Sequence, residues 1–171
     1  MNYLLIKDDS TEFWIETNND SIAVRQLIIM DKQIQISCKT DCLAEGIIEA
    51  NDMSGDVRII TSDIFEEKWD NTLFNYLDDW QIQKEKHCIG KTVCATIKYF
   101  YPQGTILQIG DTQGICNYND GMHLGDTITG KIVAHDDKNQ WLKIQTIEQN
   151  CCRDGTASKV NRKSQIVSHI Q

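Results

Sequence analysis

The sequence predicts a mostly β protein, α+β overall. An N-terminal antiparallel β-meander with one packed helix is followed by a small five-stranded barrel. Three observations predict this. Short apolar runs broken by Asp, Asn and Ser fill the chain from Tyr3 to Ile36, the rhythm of strands and tight turns. From Ser62, large apolar side chains recur at helical spacing. From Gly90, short strands return with glycines at their corners, where a closed barrel must bend. The expected boundaries are 1–86 for an acidic α+β domain, 88–148 for the barrel and 149–171 for a polar, mobile tail.

Tyr3-Leu4-Leu5-Ile6 reads as a buried strand, turned by Asp8-Asp9-Ser10. Glu12 to Glu16 follows, closed by Asn18-Asn19-Asp20. Ile22 to Ile29 makes a longer third strand. After Asp31-Lys32, Ile34 and Ile36 alternate with Gln33, Gln35 and Ser37, as in a half-buried antiparallel strand. Ile47-Ile48 and Val57 to Ile60 offer two more short pieces. Ser62 is placed to cap a helix, with Asp63, Glu66 and Glu67 suiting its positive end. Phe65, Trp69, Leu73, Leu77 and Trp80 then form one apolar stripe, expected to lie across the meander. The helix is expected to continue to about Lys86 or to break near Asp70-Asn71.

In the barrel, Val93, Ala95 and Ile97 alternate on one face before a turn at Pro102-Gln103-Gly104. Ile106 or Leu107 to Ile109, Ile115 to Tyr118, Ile128 to Val133 and Trp141 to Ile147 supply the other strands. Turns fall at 110–114 and at 135–139.

The chain has 171 residues, 17 Lys+Arg against 25 Asp+Glu, and a formal net charge of −8. No apolar run approaches the ~18 residues of a membrane span, and Met1–Asp8 lacks the pattern of a signal peptide, so a cytoplasmic location is expected. Residues 1–87 carry 8 basic and 18 acidic side chains, residues 88–147 balance at 5 Lys and 5 Asp, and the last 24 residues carry a net +2. The front half therefore repels polyanions, and only the tail attracts phosphates.

Seven cysteines, an odd and scattered set, argue against a disulfide framework. Cys38 and Cys42 with His87 and Cys88 are the candidate metal ligands. The second pair is adjacent in sequence, which rarely turns both side chains to one ion, so no metal and no cofactor is expected. Cys94 and Cys116 read as core, and Cys151-Cys152 as exposed thiols of the tail. The four histidines are isolated, and no nucleophile-elbow, phosphate-loop, zinc-protease or dinucleotide pattern is present. No catalytic residues are assigned, and the chain is not expected to be an enzyme.

Gly90, Val93, Ile97, Gly104, Gly114-Ile115, Gly125-Asp126, Ile128 to Val133 and Trp141 to Ile144 follow the order and spacing of an S1-type RNA-binding domain. Residues 88–148 resemble that family, a five-stranded oligonucleotide-binding (S1/OB-like) barrel. The resemblance implies single-stranded RNA held by bases stacked on barrel aromatics. The positions that would carry those aromatics hold Gln103, Ile106 and Asn117, and Tyr99, Phe100, Tyr101, Tyr118 and His123 are the nearby substitutes. Residues 1–86 faintly resemble a small acidic bacterial domain of unknown function. The resemblance is carried by Glu16 to Asp20, Val24-Arg25-Gln26-Leu27 and Phe65-Glu66-Glu67-Lys68-Trp69.

Two expectations follow. The first is a non-catalytic acidic module that binds a cationic protein, in the manner of a bacterial inhibitor or immunity protein. Its docking residues would be Asp8, Asp9, Glu12, Glu16, Asp20 and Asp31, clustered at turns of the meander. The alternative is RNA binding by Lys98, Tyr99, Tyr101, Tyr118, His123, Lys131 and Lys143 with help from the basic tail.

Overall fold

The computed structural model describes residues 1–150. The expectations for the tail beyond them, and for Cys151 and Cys152, lie outside the described residues. Strands β1 (Asn2–Asp8), β2 (Thr11–Thr17), β3 (Ala23–Met30) and β4 (Gln33–Ile36) form the meander, and β5 (Asp56–Ile60) returns beside β1. The sheet order is β4-β3-β2-β1-β5, with all pairs antiparallel. The two-residue turn at Asp31-Lys32 has positive φ at both positions, 48° and 69°, the backbone twist that tight hairpins favour. Ile47 makes only an isolated bridge to Ile22.

Both sheet faces are covered, which is why these strands read as near-continuous apolar runs. Leu4, Ile6, Ile15 and Ala23 pack on one side against Ile48 and the 43–57 segment. Tyr3, Trp14 and Leu27 pack on the other side against the helices and the barrel.

Helix α1 (Ser62–Leu73) begins one residue earlier than the capping pattern suggested. Thr61, still extended after β5, holds the cap position, and its side chain makes no capping bond. Ser62 already sits in the first turn. The helix continues to Leu73, tightens into a 3-10 turn at Phe74–Tyr76, and resumes as α2 (Leu77–Lys86). A 3-10 turn advances about three residues per turn rather than ~3.6, so the apolar stripe is re-aimed across it. Phe65, Trp69 and Leu73 are buried with the sheet, Leu77 is left exposed, and Trp80 enters the barrel core. The stripe thus serves two cores.

Strands β6 (Thr92–Tyr101), β7 (Gly104–Ile109), β8 (Thr112–Cys116), β9 (Thr127–Asp136) and β10 (Trp141–Asn150) close into a barrel in the order β10-β8-β7-β6-β9. All neighbours are antiparallel except β8 and β10, which run parallel through Gly114 and Ile115 opposite Leu142 and Lys143. This closed five-stranded barrel is compatible with an oligonucleotide-binding-type barrel. Val93, Ala95, Ile97, Leu107, Ile109, Cys116, Ile128, Ile132, Leu142 and Ile144 fill it. Cys94, expected in the core, is exposed, because strand alternation sends Val93 and Ala95 inward and the residue between them outward. Gly104, at φ 149°, turns β6 into β7 where a Cβ would lie 2.5 Å from the Cys116 carbonyl oxygen. Among the described residues, no helix is long and apolar enough to cross a membrane.

Candidate functional site

Barrels of this type bind ligands on the outer face of their second and third strands, flanked by the loops after the first and fourth. Here those elements are β7 and β8 with the turns at 102–103 and 137–140. Most of that face is occupied by the N-terminal half of the same chain. Tyr101, Ile106 and Trp141 are buried in one cluster with Leu27, Ile36, Cys38, Phe65, Trp69 and Leu73, and Tyr99 and Ile115 pack against it.

Polar contacts fix both loops. The Gln103 amide donates to the Val24 carbonyl at 2.7 Å. The Trp69 and Trp80 indoles donate to the Lys138 carbonyl and the Asp137 carboxylate, each at 2.7 Å. The Trp141 indole donates to the Cys38 carbonyl at 2.9 Å and the Tyr101 hydroxyl to the Thr40 carbonyl at 3.3 Å. Two of the three positions lacking the expected aromatics, Gln103 and Ile106, therefore serve this junction.

At its centre lies a charge network. The Arg25 guanidinium packs against the stacked pair of Phe65 and Trp69 rings, 4.9 Å from each centroid. It donates to the buried Glu16 carboxylate, and its fork reaches both oxygens of Glu66 at 2.9 and 2.5 Å. Lys138, from the barrel, donates to Glu66 at 2.7 Å. The Arg25 hydrogen bonds hold the Glu66 carboxyl down at about 2, with Lys138 adding to the effect. Glu16, expected as a docking acid, is instead an internal partner of Arg25, because strand pairing sets the two directly opposite on the covered face.

The other five expected acids divide between two ends of the sheet. Asp8 ends β1, Asp9 lies in the β1–β2 turn and Asp31 in the β3–β4 turn, which a meander places at one end. All three are exposed and have no ion-pair partner among the described residues. Glu12 lies near this end, paired with Lys7 at 2.6 Å, and that hydrogen bond lowers its pKa. Asp20 lies at the opposite end, in the β2–β3 turn.

The alternative nucleic-acid residues are dispersed. Burial pushes the Tyr99 phenol up to about 12 and raises Tyr101 further. The junction holds both rings: Tyr99 accepts from the Gln113 amide at 3.0 Å, and Tyr101 is 9 % exposed, which denies a base its faces. Tyr118 is exposed and packs edge-on against Phe100 at 5.7 Å. His123 lies 3.3 Å from Asp126. Lys98, Lys131 and Lys143 are exposed on three different strands. Beside Lys143 a groove of about 690 Å³ remains open, lined also by Gln103, Asn117, Asp136 and Trp141. Its one aromatic, Trp141, is 2 % exposed and offers no stacking platform.

Among the described residues, no group of three or more His, Cys, Asp or Glu side chains could hold a metal. Cys38 is buried in the junction, its thiol pushed up to about 12 by that burial, whereas Cys88 is exposed beyond α2. His87 is buried with neither ring nitrogen hydrogen-bonded, while the nearby His135 donates from Nε2 to its carbonyl at 2.9 Å. No protein-family model matches the chain, and no curated protein is significantly similar to it.

Sequence reasoning missed the junction. Its signals were present as polar side chains at barrel turns, but their partners lie up to 103 residues away.

Proposed function

We propose that this chain is a non-catalytic acidic module that binds a cationic protein, in the role of an inhibitor or immunity protein. The observation that carries the reading is the set Asp8, Asp9 and Asp31. These three exposed carboxylates at one end of the sheet lack ion-pair partners among the described residues. Unpaired carboxylates on rigid hairpin turns steer a cationic partner at little ordering cost. The charge of the front half favours the same partner class, and the junction leaves little of the barrel's ligand face for a polyanion.

The test is capture from the native cell extract with the tagged full-length chain, with and without RNase. It is repeated with Asp8→Asn, Asp9→Asn and Asp31→Asn combined. The proposal expects a basic protein at fixed stoichiometry, resistant to RNase and depleted by the triple variant or by raised salt. Recovery of RNA alone, abolished by RNase, overturns it.

The second reading is single-stranded RNA binding by the S1-like barrel. It is favoured by the exposed Phe100–Tyr118 pair, since two accessible aromatics on a barrel surface suit base stacking. Binding of an oligoribonucleotide that is lost in Phe100→Ala and Tyr118→Ala would support it.

A further inference from the structure

We propose that the cavity between the 41–46 segment and the β6–β7 hairpin receives a lysine or arginine side chain of the partner protein. The inference rests on the proposed function and narrows it to one recognition site. The cavity encloses about 460 Å³, within the range of sites that hold small ligands. One side is aromatic: the half-buried Tyr99 and the exposed Phe100 line it, with the buried Tyr101 behind, its centroid 4.9 Å from that of Tyr99. The other side carries Asp41 and Glu45, both exposed. No Lys, Arg or His lines it.

These components select a cation. Aromatic faces present the negative part of their quadrupole and attract ammonium and guanidinium groups. Neither Asp41 nor Glu45 has an ion-pair partner among the described residues, so the charge they supply is uncompensated. The field of Asp41 reaches both phenols and, behind burial, contributes to raising their pKa values. An anion would meet two carboxylates there, and an uncharged apolar group would leave both without a counter-charge. The long stem of lysine or arginine suits the apolar rim, where Phe100 and Leu124 are 40 % and 63 % exposed. The wall is also anchored, because the Tyr101 hydroxyl donates to the Thr40 carbonyl beside Asp41.

The test titrates the ¹⁵N-labelled full-length protein with acetyl-Gly-Arg-Gly-amide, using the glutamine analogue as control. The expected result is saturable shifts of the 41–46 and 99–101 amides with the arginine peptide alone. Asp41→Asn with Glu45→Gln should weaken binding at least fivefold while leaving the remaining spectrum and the melting temperature unchanged. Absence of shifts, equal shifts with the glutamine peptide, or undiminished affinity in the double variant overturns the proposal. Shifts confined to Asp8, Asp9 and Asp31 overturn the cavity but leave the wider function standing. Failure to capture a basic protein overturns the wider function, even where the peptide still seats in the cavity.

Discussion

Replacing Glu66 with glutamine removes one of the two carboxylates of Arg25 and the anchor of Lys138. Arg25 is buried against two aromatic rings and keeps Glu16, so its charge is left half-compensated rather than orphaned. Breaking a fully buried pair costs about 3–5 kcal/mol. With one partner retained and Glu66 open to water on one side, we expect roughly 2 kcal/mol, screened as partly exposed pairs are.

The same number has a second route. Glu66 titrates at about 2 in the fold against an ordinary value of 4.5, so the unfolded chain binds its proton more readily. Its contribution is therefore fully present above about pH 5 and is lost as pH falls through the folded value. The shift corresponds to ~3 kcal/mol before solvent screening is allowed for, and to less after it. The assay is urea unfolding of parent and Glu66→Gln at pH 7, 5, 4 and 3. The gap between them should be largest at pH 7 and should shrink on acidification. A gap below about 0.5 kcal/mol at pH 7, within the scatter of ordinary surface substitutions, refutes the reasoning. So does a gap that stays constant with pH.

Trp141→Phe leaves the Cys38 carbonyl without its donor and should cost about 1–3 kcal/mol. Because Trp141 of the barrel and Cys38 of the turn after β4 share one buried cluster, calorimetry should show a single transition moved to lower temperature. Two separate transitions would contradict a shared core. Gly104→Ala forces a Cβ to within 2.5 Å of a backbone oxygen at φ 149°, and the backbone strain alone should cost about 1–3 kcal/mol, read as a lowered melting temperature. Burial lowers the His87 pKa below 6.5, with Lys91 and Lys86 adding to the effect, so its neutral ring favours the fold. That contribution is present above about pH 6.5 and declines as pH falls through the folded value; His87→Gln should remove this part of the stability–pH slope in denaturant titrations.

The elements were legible because each announces itself within a few residues. Short apolar runs broken by turn residues marked the meander, the spacing of Phe65, Trp69 and Leu73 marked α1, and glycines marked the barrel corners. Gln103 and Ile106 were legible as non-aromatic positions of the barrel, but what they contact was not. Their partners lie in the N-terminal half of the chain, and periodicity carries no information about them. Glu16 shows the same limit: among acids at turns it reads as surface, and only pairing opposite Arg25 turns it inward. Trp80 continues the α1 stripe in sequence, yet the 3-10 turn at Phe74–Tyr76 hands it to a different core. Asp41 and Glu45 gave no signal, since their aromatic neighbours lie more than fifty residues on.

The shared cluster also orders events at the ribosome. Phe65, Trp69 and Leu73 emerge early, but the barrel surface that finishes covering them includes Trp141, and β10 closes the barrel only by pairing with both β8 and β9. Until residue 141 leaves the exit tunnel, neither the sheet nor the barrel has its complete core. A nascent chain therefore presents a stripe of aromatic surface from the emergence of α1 until Trp141 follows it, the kind of transient exposure that holdase chaperones screen. Long-range closure of this kind slows folding as well, because loop entropy must be overcome before the contacts form. Ribosome-stalled chains ending before Trp141 are accordingly the species to examine for chaperone engagement, and chains carrying the whole of β10 outside the tunnel are those that should release it.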